Sequence, residues 1–320
     1  MIEKNQELEI GGVPATELAE EYGTPLYVYD RETIERQYRR LEGEFGLRYD
    51  NFAVSYAVKA NFNPSIVEVL VEQGAGLDCA STAEIELAKE LGAEEVMYTA
   101  PYVTKEEVDS VCEEGVTVNF DGIYAFEKAD EVPDRISFRI DPGVGRGDLG
   151  LVFAGDNSKF GVPEERAVEA YRRARERGVE RFGIHMMTGS NVCDPDYFAQ
   201  ITEKLLEIAG RISDELGIVF EFVDIGGGLG VPYEPDEEPL DIEETAEKVV
   251  ETFETGLEEN DIGDPELRVI PCREVGRSSV LRDGGQAEGR YIRRHRYRYA
   301  PHDTADASGR LPRDTCGERP

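Results

Sequence analysis

The sequence lacks any apolar run approaching the roughly 20 residues that a membrane-spanning helix needs. It also lacks a CxxC pair, and its N-terminal residues MIEKNQELEI have no apolar core of the kind found in secretory signals. Its five cysteines are odd in number and too widely spaced to suggest a zinc or dithiol site. We therefore expect a cytoplasmic protein with reduced cysteines and no membrane partner.

Positive charge is scarce: 35 lysines and arginines stand against 68 acidic residues, which leaves a net charge of −33. Such an excess repels a phosphate backbone at most points of the surface. We expect no nucleic-acid partner, and we interpret the acid-rich runs as solvated helix faces. A small-molecule substrate remains the natural partner.

The last forty residues reverse this balance. Residues 281–320 hold nine arginines and six acids, a local charge of +3, so residues 1–280 carry −36. The segment has neither a helical nor a strand period. We interpret it as an aberrant, irregular tail, translated out of frame or degenerated; a basic interaction tail is the alternative.

Eight apolar, β-branched segments alternate with amphipathic helical segments. Eight such units are typical of a (β/α)₈ TIM barrel, whereas a doubly wound sheet more often stops near six strands. The sequence therefore predicts an α/β barrel. The predicted strands are NFAVSYAVK, AGLDCAS, EVMYTAP, VTVNFDG, RISFRID, RFGIHMM, FEFVDIGG and LRVIPCRE.

A further strand, TPLYVYD at residues 24–30, precedes this pattern and is expected to pair outside the barrel. The sequence thus predicts three segments. Residues 1–30 contribute a strand to a second domain, residues 31–280 form the barrel, and residues 281–320 form the tail.

Lys59 closes the first predicted strand, where barrel enzymes place reactive groups. A lysine in apolar surroundings has a lowered basicity, which favours Schiff-base formation with an aldehyde. An ordinary exposed lysine at a strand end is the alternative interpretation.

Glycines directly follow the seventh predicted strand, at Gly226, Gly227, Gly228 and Gly230. Glycine lets backbone N–H groups approach an anion, and barrel loops after strands seven and eight often bind phosphate. A tight turn without a ligand would show the same cluster.

The eighth predicted strand ends at Glu274, and Gly276 and Arg277 follow it closely. A carboxylate there could keep a pyridinium nitrogen protonated, and an arginine could bind phosphate or a substrate carboxylate. A surface ion pair would explain the same two charges.

The sixth predicted strand carries His185, and Ser190 follows it. The histidine could stack on a cofactor ring or move a proton, and the serine could donate to phosphate. The alternatives are a hydrogen-bonded core histidine and a common Ser-Gly turn.

Seven segments match, in order, a family of enzymes: YGTPLYVYD, YAVKAN, GLDCASTAEIELA, RIDPGV, SKFG, GIHMMTGS and GGGLGVPY. With them the sequence resembles the fold-type III pyridoxal-phosphate decarboxylases over about residues 10–280. The first two segments resemble the diaminopimelate decarboxylase branch in particular. The resemblance implies an alanine racemase-like barrel with a β domain, and homodimers with shared active sites.

The resemblance also implies the cofactor, pyridoxal 5′-phosphate, and a role for each site residue. Lys59 would carry it, Gly228 and Ser190 would hold its phosphate, and Glu274 would meet its ring nitrogen. Arg277 would touch the phosphate or the reacting carboxylate of the substrate. The remaining residues that the resemblance assigns to the cofactor are Asp78, Arg139, His185, Gly226, Gly227 and Gly276.

The sequence departs from the family at three places. The family's Glu-Pro-Gly-Arg is Glu274, Val275, Gly276 and Arg277 here, which loses the proline and keeps both charged groups. Met187 stands where the family has its ring-stacking histidine, so His185 need not inherit that role. The later cysteine motif and substrate-binding tyrosine have no match, which implies that most of the C-terminal β domain is missing. Cys316 does not replace that cysteine.

The reaction implied is decarboxylation of meso-2,6-diaminopimelate to L-lysine, the last step of lysine biosynthesis. Decarboxylation of ornithine, arginine or carboxynorspermidine is the enzymatic alternative, and a non-catalytic pyridoxal-phosphate-binding remnant is the other. Because the C-terminal domain would complete the neighbouring subunit's site, we expect the chain as given to have little activity.

Overall fold

The computed structural model describes residues 8–147, 154–155, 158–232, 237–271 and 278–281. Within them, eight strands form a closed parallel sheet in which each strand pairs with the next along the chain and the eighth pairs with the first. All eight predicted strands and the TIM barrel are confirmed. The strands are β1 (Phe52–Ala57), β2 (Gly76–Cys79), β3 (Val96–Ala100), β4 (Thr117–Phe120), β5 (Arg135–Asp141), β6 (Arg181–Met186), β7 (Phe220–Gly227) and β8 (Glu266–Ile270).

Helices begin where a short polar side chain can accept a hydrogen bond from the first turn. Asp30, Asn63 and Ser81 cap three of them in this way. The acid-rich residues 242–260 fold as the last of the described helices, which buries Val249 and Phe253. The helices are α1 (Ala15–Tyr22), α2 (Arg31–Gly46), α3 (Pro64–Glu72), α4 (Thr82–Glu90), α5 (Lys105–Glu113), α6 (Ile123–Lys128), α7 (Ala167–Glu176), α8 (Pro195–Leu216) and α9 (Ile242–Asn260).

The inside of the barrel is packed rather than hollow. Met97, Phe222 and Ile270 form a small apolar cluster there, separate from the larger core between strands and helices. Gly183 makes room for it, since a Cβ at this position would lie 2.0 Å from the Phe222 ring. Further along the strands the buried residues become polar, among them Asp78, Asn119, Ser137, Arg139, His185 and Asp224.

The predicted N-terminal strand is present as Leu26–Tyr29 and lies outside the barrel sheet. It pairs antiparallel with Ser278–Leu281. The last barrel strand itself ends at Ile270. The division into three segments stays a prediction, because residues 282–320 lie outside the described part of the chain.

None of the helices that the structure describes combines the length and apolar character needed to cross a bilayer.

Candidate active site

Lys59 lies at the carboxyl end of β1, on a short 3₁₀ turn formed by Val58–Ala60. Its Nζ atom is 3.6 Å from Oδ2 of Asp78, the penultimate residue of the neighbouring strand β2. The lysine side chain is 51% exposed and the aspartate side chain 2%. The amine is therefore accessible to a ligand from the mouth of the barrel, while a buried carboxylate stabilises its charge.

The glycine loop that ends β7 is held by close backbone contacts. Gly226 and Gly228 have φ angles of +75° and +90°, and the Gly226 N–H donates to Oδ1 of Asp224 at 2.8 Å. A Cβ on Gly228 would lie 2.4 Å from the Gly189 carbonyl oxygen and 3.2 Å from the Ser190 nitrogen. The structure thus brings together the two segments predicted to bind phosphate.

His185 lies inside the barrel and is 2% exposed. Its Nδ1 is 3.0 Å from Nδ2 of Asn119, whose Oδ1 accepts a hydrogen bond from Ser137 at 2.7 Å. The amide nitrogen therefore donates to Nδ1, which leaves the ring proton on Nε2. Burial, together with the cations of Arg139 and Lys59, lowers the pKa of His185 well below its usual value. The imidazole is neutral at physiological pH.

Arg139 connects three elements at the mouth. Its Nη1 lies 3.4 Å from Oδ1 of Asp121, and its Nη2 donates to the Met187 carbonyl oxygen at 3.2 Å. Its guanidinium carbon is 4.7 Å from the centre of the Phe160 ring. Burial raises the pKa of Asp121 to about 6, although the charge of Arg139 acts in the opposite direction. Arg139 therefore fixes the loop that leads from β6 to Ser190.

Four polar residues near the site were not predicted from the sequence: Asn119, Asp121, Ser137 and Asp224. Asn119, Ser137 and Asp224 are polar residues within otherwise apolar strands and face the barrel interior. That pattern is the signal that could have identified them. The predicted residues Glu274, Gly276 and Arg277 lie outside the described residues.

The donor set fits an aldehyde that bears a phosphate. A primary amine stands at an accessible strand end, and an amine of this kind can form a Schiff base. The loop around Gly228 and Ser190 offers backbone N–H groups and a hydroxyl, the donors that bind phosphate in loops.

Comparison with known proteins agrees with this geometry. A family profile described as "Pyridoxal-dependent decarboxylase, pyridoxal binding domain" matches residues 31–280. The chain is 43% identical over 281 residues to a diaminopimelate decarboxylase of Methanothermobacter thermautotrophicus, which covers 86% of this chain and 66% of the relative. It is 38% identical over 248 residues to the enzyme of that name from Thermoplasma acidophilum, which covers 77% and 61%.

Solved structures show the same fold. A crystal structure of diaminopimelate decarboxylase from M. jannaschii aligns with a TM-score of 0.77 at 28% identity, covering 87% of this chain and 68% of that one.

The chain spans 66% and 61% of the length of these two curated relatives. The profile match covers most of the chain and contains Lys59, Ser190 and the glycine loop. The chain therefore belongs to the pyridoxal-dependent decarboxylase family.

Proposed function

We propose that the protein is a pyridoxal-phosphate-dependent decarboxylase that converts meso-2,6-diaminopimelate into L-lysine. The observation that carries this proposal is the half-exposed amine of Lys59, 3.6 Å from a buried carboxylate at the mouth of the barrel. The choice of substrate is supported by the names of the relatives, at up to 43% identity. An M. jannaschii structure of the same name, 29% identical, was solved with L-lysine.

Pyridoxal phosphate, when bound, supplies an aldehyde for amines and a ring that withdraws electrons from the substrate's α-carbon. In this chain Lys59 would hold the aldehyde carbon. The hydroxyl of Ser190 and the backbone N–H groups around Gly228 would hold the phosphate.

The chain's own residues then orient and hold protons at the mouth. Asp78 stabilises a proton on Lys59 Nζ, since an opposite charge within about 4–6 Å favours the charged amine. His185 stays neutral and presents Nε2–H as a donor, because Asn119 occupies Nδ1. Arg139 holds the Met187 carbonyl and so orients the loop that carries Ser190.

The experiment is to purify the full chain with pyridoxal phosphate, record its absorbance and reduce it with borohydride. We expect a near-ultraviolet to visible band and a reduced adduct that peptide mass spectrometry locates on Lys59. Lys59→Ala should lose both the band and the adduct. Lys159→Ala removes another exposed lysine, which lies over the Tyr102 and Phe160 rings, and should retain both.

Carbon dioxide release then distinguishes the substrates. Release from diaminopimelate faster than from ornithine or arginine is the expected result, and the reverse order would favour another decarboxylase. An adduct on Lys59 with no release from any of them would indicate a non-catalytic remnant. The expectation that the tail impairs activity concerns residues 282–320, which lie outside the described residues, and it stays a prediction.

The proposal extends to assembly and location: a cytoplasmic homodimer in which Leu26–Tyr29 and Ser278–Leu281 belong to a second domain. The aromatic side chains of Phe62, Tyr102 and Tyr124, which follow barrel strands, are 71%, 60% and 46% exposed. A second copy would cover such apolar surface. Cys79 and Cys112 are free thiols, which suits a reducing compartment. Light scattering should give about twice the chain mass of 35.7 kDa.

A further inference from the structure

Two buried carboxylates near the mouth each have one oxygen without a hydrogen-bond partner among the described residues. The atoms are Oδ1 of Asp78 and Oδ2 of Asp224, on side chains that are 1% and 0% exposed. An unsatisfied buried acceptor is costly, and such atoms in folded proteins require an explanation.

The other oxygen of each carboxylate faces a part of the candidate site. Oδ1 of Asp224 accepts the N–H of Gly226 and so shapes the glycine loop. Oδ2 of Asp78 faces the amine of Lys59. The two unpaired oxygens therefore belong to residues that position the two halves of the same site.

The surroundings of Asp224 disfavour a negative charge. On β8 its register partner Arg268 already contacts two carboxylates, those of Glu266 and Glu95. On β6 its register partner is the neutral His185, and Asp78 acts on it from β2. Burial raises the pKa of Asp224 well above its usual value; the Gly226 N–H and Arg268 oppose this shift, and Asp78 and Glu266 add to it.

One proton shared between the two carboxylates would satisfy both unpaired atoms. A carboxylic acid keeps one oxygen as an acceptor and turns the other into a donor. With the proton on Oδ2, Asp224 can still accept from Gly226 and can also donate. Near the mouth, the other buried oxygen without a donor among the described residues is Oδ1 of Asp78.

We propose that Asp224 is a positioning residue that carries a proton on Oδ2 and donates it to Oδ1 of Asp78, directly or through one water molecule. The hydrogen-bonded chain then runs from the glycine loop through Asp224 and Asp78 to Lys59, so that phosphate-binding loop and lysine are held in one geometry. The role assigned to this series of hydrogen bonds rests on the proposed function. The proton on Asp224 can be tested without cofactor.

The first measurement is urea unfolding of the full chain, without pyridoxal phosphate, between pH 5 and pH 9. The folded wild type retains a proton on Asp224 that the unfolded chain has lost above its ordinary pKa of about 3.9. The folding constant of the wild type should therefore fall relative to that of Asp224→Asn as pH rises, by up to about tenfold per pH unit until the folded pKa is passed. The amide of Asp224→Asn keeps both the acceptor and the donor, so this variant should fold.

A ratio of the two folding constants that does not change with pH would overturn the proposal. So would a large loss of stability in Asp224→Asn at pH 7 that Arg268→Gln restores, because that pattern indicates an ionised pair with Arg268.

The second measurement uses the holoprotein and follows the pH midpoint of the Lys59 adduct band. Asp224→Asn should keep the wild-type midpoint. Asp224→Leu has similar volume but no donor, so the hydrogen bonds that link Asp224 through Asp78 to Lys59 are broken. Its midpoint should differ from that of Asp224→Asn by about one unit, a tenfold change in proton affinity.

Equal midpoints in Asp224→Asn and Asp224→Leu would show that Asp224 does not act on Lys59. Absence of the adduct in the wild type would contradict the proposed function and leave the unfolding result intact.

Discussion

Nδ1 of His185 lies 3.0 Å from the amide nitrogen of Asn119 in the middle of the barrel, and this contact leaves the buried imidazole no room for a second ring proton. Burial lowers the pKa of His185 well below its usual value. The unfolded chain therefore binds a proton below about pH 6.5 that the folded chain does not. Stability from this residue is present above that pH and is lost as the pH falls.

We expect His185 to contribute a loss of up to about 1.4 kcal/mol in the free energy of unfolding for each pH unit below 6.5. His185→Gln removes the titrating group, so its stability should depend less on pH between 7.5 and 5.5. Urea unfolding at three pH values measures the free energy of unfolding of wild type and variant. Their difference cancels the contributions of all other titrating groups. Parallel pH profiles for wild type and variant would contradict a neutral, buried His185.

Gly228→Ala should disrupt the glycine loop. The added Cβ would lie 2.4 Å from the Gly189 carbonyl oxygen, and the φ angle of +90° is strained for alanine. We expect the free energy of unfolding to fall by about 1–2 kcal/mol because of the backbone strain and by a further 1–3 kcal/mol because of the clash. Pyridoxal-phosphate affinity, measured by absorbance titration, should fall as well.

Gly74→Ala is the matched control, since Gly74 has a φ angle of +94° and nothing within 4 Å of its added Cβ. Gly74→Ala should lower the free energy of unfolding by the contribution of backbone strain alone and leave cofactor affinity unchanged. Equal effects of the two substitutions would show that the contact with Gly189 is unimportant.

Gly183→Ala should destabilise the barrel interior, because the new Cβ would lie 2.0 Å from the Phe222 ring. Overpacking of this kind costs about 1–3 kcal/mol. Adding Phe222→Leu should recover part of that loss, since the smaller side chain vacates the space. A double variant whose loss equals the sum of the two single losses would contradict the direct contact.

Arg139→Lys keeps the charge and loses the planar group that reaches Asp121, the Met187 carbonyl and the Phe160 ring. Hydrogen bonds to charged groups contribute about 1.5–3 kcal/mol, so we expect pyridoxal-phosphate affinity to fall at least tenfold. The control is Arg146→Lys, at an exposed arginine paired with Asp194 at 2.8 Å. An affinity unchanged by Arg139→Lys would show that this clamp does not position the loop.

Most of the barrel could be predicted because its strands carry local signals. Each is a short apolar run bounded by turns, and all eight were identified in the right order. The position of Lys59 at a strand end and of the glycines after β7 followed from the same pattern. Ser190 and Gly228 could be assigned separately from their motifs, but their backbone contact could not, because it joins two loops across neighbouring strands.

The polar interior could not be predicted in the same way. Asn119 and His185 are 66 positions apart, and each alone resembles an ordinary strand residue. Their polarity within apolar strands marks Asn119 and Ser137 as candidates. Nothing in the local sequence indicates that Asn119 lies beside the imidazole or that Ser137 donates to Asn119. The same is true of Asp78 and Asp224, whose unpaired oxygens exist only because the closed sheet buries both.

The amino-acid sequence by itself thus determined the alternation of strands and helices, the lysine at the end of β1 and the glycines that leave space for backbone contacts. These are local properties of hydrophobic period, turn chemistry and side-chain size. Only the tertiary structure decided which polar groups lose contact with water and which charges they then face. Since burial and neighbouring charge set the pKa values of His185, Asp121 and Asp224, their protonation states depend on closure of the barrel.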